Sequence, residues 1–199
     1  MKFCSECGSG VTLEIPKGDN RPRHVCPNCQ TIHYHNPRIV AGTLPTYEGR
    51  ILLCRRAIEP RYGYWTLPAG FMELGESVSD AAARETWEEA EAKVDMGPLY
   101  TVVNIPYIGQ VHIFYLAEIR EGVHGAGQES LESRLFAPEE IPWEDLAFRS
   151  VKLTLERFLN DQKLGITQPH SAEMTLPTPN GWPPSEQSTE IATLTKTQS

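Results

Sequence analysis

The sequence has no run of about 18 or more apolar residues, so it has no candidate transmembrane helix. Its N-terminal segment, MKFCSECGSG, lacks the apolar stretch of a secretory signal peptide. The cysteine content also disfavours a secreted disulfide scaffold, because five is an odd number and Cys54 lies inside an apolar run. These absences lead us to expect a cytoplasmic protein.

Positive charge is scarce in this chain. Its 18 Lys and Arg residues stand against 26 Asp and Glu residues, and the formal net charge is −8. Such a balance disfavours nucleic acid or an anionic membrane as the main partner. It allows a phosphate-bearing small molecule as substrate, provided that cations are recruited locally. With 199 residues, of which 40% are hydrophobic, the chain has room for one ordinary domain and a smaller segment.

Composition divides the chain into three zones. Residues 1–36 are polar and hold four of the five cysteines, and residues 37–165 have the pattern of a globular domain. Residues 166–199 are rich in Pro, Ser and Thr, which predicts a flexible or loosely docked C-terminal tail. Trp182 is a candidate anchor of this tail to a neighbouring surface.

Two CxxC pairs separated by eighteen residues match the spacing of a zinc site. Two such turns can complete a tetrahedron of thiolates, a closed arrangement that is structural rather than catalytic. The alternatives are redox-active or metal-free pairs, or a histidine in place of one thiolate. This segment is nearly neutral in charge, which disfavours binding to a phosphate backbone. The predicted ligands are Cys4, Cys7, Cys26 and Cys29, and the neighbouring histidines are His24, His33 and His35.

Short apolar segments predict five strands and two helices in the middle zone. The first helix begins near Ser77, which has capping-box-like spacing to Asp80. The second spans about 150–163, with Ser150 as candidate N-cap and an apolar face for packing on a sheet. We predict an α/β sandwich with a mixed sheet. The expected strands are 38–44, 51–56, 99–105, 111–119 and 131–137, with turns at 47–49 and 106–110.

Three glutamates crowd one face of the first helix. Glu85, Glu88 and Glu89 stand at i, i+3 and i+4, where like charges cost roughly 0.2–0.5 kcal/mol per pair. Divalent cations such as Mg²⁺ or Mn²⁺ would neutralise this repulsion, and they bind carboxylates together with substrate phosphates. The pattern therefore favours metal-assisted phosphoryl chemistry. The alternative is an ordinary solvated acidic face.

The segment from Gly70 to Ala92 resembles the Nudix box, Gly-x₅-Glu-x₇-Arg-Glu-U-x-Glu-Glu-x-Gly-U, in which U is a bulky apolar residue. Two positions depart from it, because Thr86 replaces the apolar residue and Glu91 replaces the second glycine. Glu91 must either adopt a left-handed conformation or extend the helix by a turn. The resemblance implies a Nudix α/β/α sandwich with a mixed sheet, preceded by a zinc ribbon. The matching residues are Gly70, Glu76, Arg84, Glu85, Glu88 and Glu89.

Roles for individual residues follow from this resemblance. It implies that the three helix glutamates and the Gly70 carbonyl bind Mg²⁺ or Mn²⁺, while Glu76 and Arg84 orient the glutamates. A carboxylate from a later loop would act as base or extra ligand, with Glu129 as first candidate and Glu132 as second. The implied reaction is attack of a metal-activated water on phosphorus, which splits a nucleoside-diphosphate-linked compound into two monophosphates. The catalytic set is Glu85, Glu88, Glu89 and Glu129.

The segments RRAIEP, YWTLPAGF, NIPYIGQ and LAFRS are similar to zinc-ribbon Nudix enzymes that hydrolyse FAD and ADP-ribose. NADH diphosphatases share the ribbon, but they carry a Ser-Gln-Pro-Trp-Pro-Phe-Pro-type motif that is missing after Ala92. An NADH diphosphatase remains the alternative within the enzyme class. A non-catalytic nucleotide sensor or an RNA-binding regulator is the alternative from another class. The resemblance also implies a possible homodimer, and Tyr64, Trp65 and Tyr107 are candidates for stacking on a substrate ring.

Overall fold

The computed structural model describes residues 1–175, and a boundary after Pro37 separates two compact units. Trp182 and most of the predicted tail lie outside the described residues. Neither helix within residues 1–175 is long and apolar enough to cross a membrane.

The N-terminal unit is a small antiparallel sheet of three strands. These are β1 (Thr12–Glu14), β2 (Arg23–Val25) and β3 (Ile32–His33), in the order β1-β2-β3. Its described side chains form almost no apolar core, because Leu13 and Ile15 are exposed and its buried apolar residues are only Cys4, Val25 and Cys26. A unit of this size and composition depends on a bound metal for its folding free energy.

The second unit is built on a mixed sheet with the order β10-β5-β4-β9-β8-β11, in which β6 adds to β5 and β7 adds to β4. The β4–β9 and β8–β11 pairs are parallel and the others are antiparallel. All five predicted strands are present. The strands are β4 (Arg38–Tyr47), β5 (Arg50–Arg56), β6 (Trp65–Thr66), β7 (Ala69–Phe71), β8 (Val94–Ile105), β9 (Gln110–Ile119), β10 (Ser130–Phe136) and β11 (His170–Glu173).

Helices α1 (Val78–Ala90) and α2 (Arg149–Leu164) cover opposite faces of the sheet. Alternation along β5 shows this, since successive side chains of a strand point to opposite faces. Leu53 belongs to the buried cluster that contains Leu155 of α2, and Cys54 belongs to the cluster that contains Ala90 of α1. The predicted α/β/α sandwich with a mixed sheet is confirmed.

Helix α1 begins with the predicted capping box. Ser77 Oγ accepts a hydrogen bond from the Asp80 amide at 3.2 Å, and the Ser77 amide donates to Asp80 Oδ2 at 3.4 Å. Inside the helix, Thr86 is fully buried, and its hydroxyl donates to the Ala82 carbonyl at 2.7 Å and lies 2.6 Å from Thr43 Oγ1. A hydroxyl is thus tolerated at a normally apolar position, because it is not left without a hydrogen-bond partner.

Helix α1 ends in the left-handed conformation rather than extending by a turn. Glu91 has φ 47° and ψ 26°, and its amide donates to the Trp87 carbonyl at 2.8 Å. This conformation costs a residue that carries a Cβ atom on the order of 1 kcal/mol or more. Glu91 therefore performs the geometric task of the box glycine at an energetic cost.

The prediction that Ser150 caps the second helix is wrong. Helix α2 begins at Arg149, and its N-cap Phe148 provides no side-chain hydrogen bond. Ser150 is instead buried in the first turn, where its hydroxyl lies 2.9 Å from His112 Nδ1. The Ser150 hydroxyl therefore contacts His112 on the sheet instead of capping the helix.

The chain after α2 returns to the sheet as β11, which lies parallel to β8 with His170 opposite Thr101. The His170 ring binds the buried Asp161, with Nε2 2.7 Å from Oδ2, and Tyr100 Oη donates to the same oxygen at 3.1 Å. The segment predicted to be a flexible or loosely docked tail thus contributes an edge strand within the described residues.

Candidate active site

A cleft of about 1060 Å³ contains all the helix glutamates predicted to hold cations. Glu85, Glu88 and Glu89 line it together with Gly70, and Glu129 lines it from a later loop. Glu132, the second candidate for that loop carboxylate, is not among the lining residues, and its Oε2 lies 3.8 Å from Arg55 Nη1 on the neighbouring strand. The structure therefore brings five of the predicted residues together and leaves Glu132 apart.

Glu89 is the most buried member of the acid cluster, by which we mean Glu85, Glu88 and Glu89, with 6% of its surface exposed. Its Oε2 accepts a hydrogen bond from the Ala69 amide at 3.1 Å. Burial raises the pKa of Glu89 to about 8, although the Ala69 hydrogen bond opposes part of this shift. Burial also raises the pKa of Glu85, against the effect of Arg84. A positive charge delivered to this cluster would offset the cost of ionising these buried acids.

One guanidinium group organises the acids around it. Arg84 binds Glu76 through two hydrogen bonds of 3.0 Å and 2.9 Å. Its Nη1 donates to Glu85 Oε1 at 2.8 Å and to Glu88 Oε2 at 2.9 Å, and its Nη2 donates to the Phe71 carbonyl at 3.2 Å. The two hydrogen bonds from Arg84 to Glu76, together with one from the Glu73 amide, lower the pKa of Glu76 to about 2. The sequence suggested an Arg84 contact with either Glu76 or Glu88, and in the structure Arg84 contacts both.

Gly70 lies directly against the carboxyl group of Glu85. A Cβ atom at this position would overlap all three atoms of that carboxyl group, so a side chain here would displace it. Gly70 also pairs with Ala41 of β4, which fixes the loop to the sheet. Carboxylates beside a backbone carbonyl form an all-oxygen set, which suits Mg²⁺ or Mn²⁺ rather than a softer metal. The donor chemistry of the cleft therefore fits the expected cations.

The loop that carries Glu129 is docked onto the C-terminal end of α1. The Gly125 amide donates to the Ala90 carbonyl at 2.7 Å, and the Gly127 amide donates to the Glu89 carbonyl at 3.1 Å. A Cβ atom on Gly127 would overlap the carbonyl of Glu88, so only glycine allows this approach. The same helix end thus positions both the acid cluster and the loop carboxylate.

Of the three aromatic residues predicted to stack on a substrate, only Tyr107 lines the cleft, with 38% of its surface exposed. Trp65 packs edge-to-face on Phe136 with ring centroids 4.9 Å apart. The Arg61 guanidinium lies 5.3 Å from the centre of the Tyr64 ring. Trp65 and Tyr64 are therefore engaged elsewhere.

Sequence reasoning missed several residues of the cleft. Phe71 lines it under the Arg38 guanidinium, and Phe148 lines it under the Arg56 guanidinium, at 4.5 Å and 5.0 Å from the ring centres. Trp87 lines it from α1. One sequence signal was available for Arg56, because strand alternation places its side chain on the same face of β5 as Cys54. In the structure the Cys54 thiol donates to the Glu89 carbonyl at 3.7 Å, so that face is the one towards the acid cluster.

The four cysteines of the N-terminal unit converge, with all four sulfur atoms within 4.8 Å of one another. The Cys4–Cys29 and Cys7–Cys26 sulfur distances are 3.6 Å and 3.5 Å. Zn–S bonds of about 2.3 Å in a tetrahedron place sulfur atoms roughly 3.8 Å apart, so the cluster has the dimensions of a structural zinc site. His33 Nε2 lies 3.3 Å from Cys4 Sγ as a hydrogen-bond partner, and no histidine within residues 1–175 joins the cluster.

Comparison with family models gives two matches, which meet close to the boundary between the two compact units. Residues 2–35 match the model described as "Nudix N-terminal", a zinc ribbon, and residues 36–158 match the model described as "NUDIX domain".

The chain is also similar to individual proteins whose names describe hydrolases. A crystal structure of a Nudix hydrolase from Nitrosomonas europaea superposes with a TM-score of 0.85 at 48% identity, covering 87% of this chain and 99% of that one. An NAD-capped RNA hydrolase, NudC, from Chromobacterium violaceum is 35% identical over 47% of this chain and 33% of its own length. An ADP-ribose pyrophosphatase from Methanocaldococcus jannaschii is 28% identical over 60% of this chain and 72% of its own length. The first curated relatives are matched over only 33% to 64% of their own length.

Proposed function

The chain belongs to the Nudix hydrolase family, and from that premise we propose that it hydrolyses FAD or ADP-ribose to two monophosphates. It is a Nudix hydrolase of the NADH or ADP-ribose pyrophosphatase kind, with Mg²⁺ or Mn²⁺ as catalytic cofactor and zinc in the ribbon. The observation that carries the proposal is the convergence of Glu85, Glu88 and Glu89 on one cleft, where Arg84 binds the first two and the Ala69 amide binds the third.

The chain's own residues have distinct tasks in this reaction. Glu85, Glu88, Glu89 and the Gly70 carbonyl would hold the cations, and Arg84 orients the Glu85 and Glu88 carboxylates. When bound, the cations supply charge neutralisation for the diphosphate and lower the pKa of the attacking water. Glu129 lies exposed in the same cleft, where its carboxylate can accept the proton of that water. Catalysis on this plan consists mainly of positioning and charge neutralisation.

The size of the cleft supports a substrate larger than a mononucleotide. Ligand pockets usually measure about 300–1,000 Å³, and this cleft, at about 1060 Å³, lies just above that range. The absence of a Ser-Gln-Pro-Trp-Pro-Phe-Pro-type motif after Ala92 favours FAD and ADP-ribose over NADH.

An NADH diphosphatase is the second candidate, and the identity to a protein named NAD-capped RNA hydrolase supports it. The acidic composition of the chain predicts that nucleic acid is not a partner, and the name of that relative makes capped RNA a necessary test. A regulator without catalytic activity would bind these compounds and leave them intact.

A panel of diphosphates tests the proposal. The protein is incubated with each compound in the presence of Mg²⁺ or Mn²⁺, and the products are separated and identified by mass spectrometry. The compounds are FAD, ADP-ribose, NADH, NAD, coenzyme A and NAD-capped RNA. We expect the highest kcat/KM for FAD or ADP-ribose, with AMP as one product. A higher kcat/KM for NADH or capped RNA would favour the second candidate, and binding without any hydrolysis would contradict both.

A further inference from the structure

A layer of hydrogen-bond donors surrounds the four-cysteine cluster of the N-terminal unit. Two of these donors belong to the backbone, because the Glu6 amide donates to Cys4 Sγ at 3.4 Å and the Cys29 amide donates to Cys26 Sγ at 3.5 Å. Backbone amides are available to almost any sequence that forms such turns. Side-chain donors are a different matter, because the residues at particular positions have to supply them.

Two side chains of one short segment are bound to sulfur atoms of the cluster. Thr31 Oγ1 lies 3.1 Å from Cys29 Sγ, and His33 Nε2 lies 3.3 Å from Cys4 Sγ. A thiolate that binds zinc carries no proton, so it can only accept a hydrogen bond. The Thr31 hydroxyl and the His33 ring nitrogen are therefore the donors whenever the metal is bound.

Strand β3 and the residue before it bring these two donors to the cluster. Thr31 and His33 are two positions apart in an extended segment, so their side chains point to the same side. The backbone of this segment is fixed by β2, since His33 pairs with His24 and the Cys26 amide donates to the Thr31 carbonyl at 2.9 Å. The donors thus come from a segment that follows the last of the four cluster cysteines.

The two acceptors belong to different CxxC turns. Cys4 lies in the first turn and is buried, Cys29 lies in the second and is exposed, and their sulfur atoms are 3.6 Å apart. One segment therefore binds both turns where they meet, and it fixes the separation that a zinc ion has to bridge. A further side-chain donor, the exposed Asn28, lies 3.6 Å from Cys7 Sγ and belongs to the second turn itself.

Donors of this kind matter because the complete site is negatively charged. Four thiolates carry more negative charge than one Zn²⁺ ion can neutralise, and the chain already has a formal net charge of −8. Hydrogen bonds to a charged acceptor are roughly twice as strong as those between neutral groups. Because the N-terminal unit has almost no apolar core, a change in its zinc affinity is also a change in its folding free energy.

We propose that Thr31 and His33 are the positioning residues of the zinc site, which hold the Cys4 and Cys29 thiolates in the metal-binding arrangement and set the affinity for zinc. Both residues act through the sulfur atoms and neither is a ligand. The assignment concerns only the N-terminal unit, so it does not depend on which compound the cleft hydrolyses.

Zinc affinity of the full chain tests the proposal, measured by competition with a chromophoric chelator. Thr31→Val and His33→Leu remove the donor and keep a side chain of similar size. We expect each variant to bind zinc about 10–100-fold more weakly than wild type, the usual effect of removing a partner of a metal ligand. Thr31→Ser and His33→Gln keep a donor at nearly the same position and should restore most of the affinity.

The matched control is His35→Leu. His35 is another histidine of the same unit, but its ring packs edge-on against His24, with centroids 6.2 Å apart, and the His35 ring makes no hydrogen bond to a sulfur atom within residues 1–175. Its replacement should leave the zinc affinity at the wild-type value. Equal weakening in His35→Leu and His33→Leu would overturn the assignment of His33.

Substitution of cobalt for zinc separates a donor to sulfur from a residue that only supports the fold. A Co²⁺ ion held by four thiolates absorbs light by transfer of charge from sulfur to the metal. A hydrogen bond stabilises the sulfur lone pairs, so we expect this band at longer wavelength in Thr31→Val and His33→Leu than in wild type. Unchanged zinc affinity in these two variants, or weaker affinity with an unmoved band, would overturn the proposal. Losses as large in Thr31→Ser and His33→Gln would also overturn it.

Discussion

The backbone amide of Ala69 donates a hydrogen bond to Glu89 Oε2 over 3.1 Å, and it ties the most buried acid of helix α1 to the loop that contains Gly70. This contact joins the two parts of the Nudix box that supply the proposed cation ligands. Because the contact uses a backbone donor, it holds the Glu89 side chain in place before any cation arrives.

Glu89→Gln is expected to abolish most turnover while preserving the fold. A glutamine can still accept the Ala69 hydrogen bond, but it lacks the negative charge that a divalent cation needs. We expect kcat to fall by about 10²–10³-fold with Mg²⁺, with an unchanged circular dichroism spectrum. Glu156→Gln, an exposed glutamate on α2, is the matched control and should keep wild-type kcat. Wild-type turnover in Glu89→Gln would refute the cation-site assignment.

Replacing the two loop carboxylates separately decides which one takes part in the chemistry. Glu129 lines the cleft and Glu132 pairs with Arg55, so we expect Glu129→Gln to lower kcat by about 10²-fold and Glu132→Gln to leave it near wild type. The measurement is kcat as a function of pH for both variants. The reverse order of effects would transfer the role to Glu132.

Glu91→Gly is expected to stabilise the protein, because glycine adopts the left-handed conformation without the strain that Glu91 carries at φ 47°. We expect the free energy of unfolding in urea to rise by about 1 kcal/mol. Glu91→Ala removes the same charge but keeps a Cβ atom, and it should give little gain. Equal stabilisation by both variants would attribute the effect to charge instead.

The neutral His112 predicts a loss of stability in acid. Its pKa is about 4 in the folded protein and about 6.5 when unfolded, so the unfolded chain takes up the proton first as the pH falls. The stabilisation is complete above pH 6.5 and is lost as the pH falls towards 4, by at most about 3 kcal/mol. Urea unfolding of wild type and His112→Gln between pH 4.5 and 7.5 should show their difference shrinking in acid. A constant difference would contradict this account.

Removing zinc should affect the N-terminal unit and leave the chemistry intact. The four sulfur atoms form a closed cluster with no position for water or substrate, so its metal stabilises local folding only. We expect Cys29→Ser to release zinc and to speed proteolytic cleavage within residues 1–37, while kcat with saturating Mg²⁺ stays near wild type. A loss of kcat in proportion to zinc released would contradict a purely structural role.

Local sequence patterns predicted those features that depend on residues close together in the chain. The Ser77–Asp80 capping box and the shared face of Glu85, Glu88 and Glu89 follow from helical spacing alone. The contacts of Arg84 are also local, because Glu88 lies one helical turn after it and Glu76 lies in the loop just before the helix.

Features that depend on distant partners could not be predicted in this way. Ser150 has the spacing of a cap, but His112 on the sheet binds its hydroxyl. The four residues of β11, His-Ser-Ala-Glu, include a single apolar residue, so no apolar pattern marks them and pairing with β8 defines the strand. Glu91 left two geometries open, and the docking of Gly125 and Gly127 on the helix end accompanies the left-handed one.

The parallel pairing of β11 with β8 also has a consequence for the order in which parts of the cleft form during synthesis. It joins His170 to Thr101, 69 positions earlier in the chain, and it brings Met174 to the cleft. Contacts this distant in sequence form late, because a long loop must close before they can stabilise anything. A chain still emerging from the ribosome can therefore build the acid cluster on α1 well before it can assemble the complete cleft. Competence for substrate would therefore require the chain to have been synthesised past Met174, well after α1 has been made.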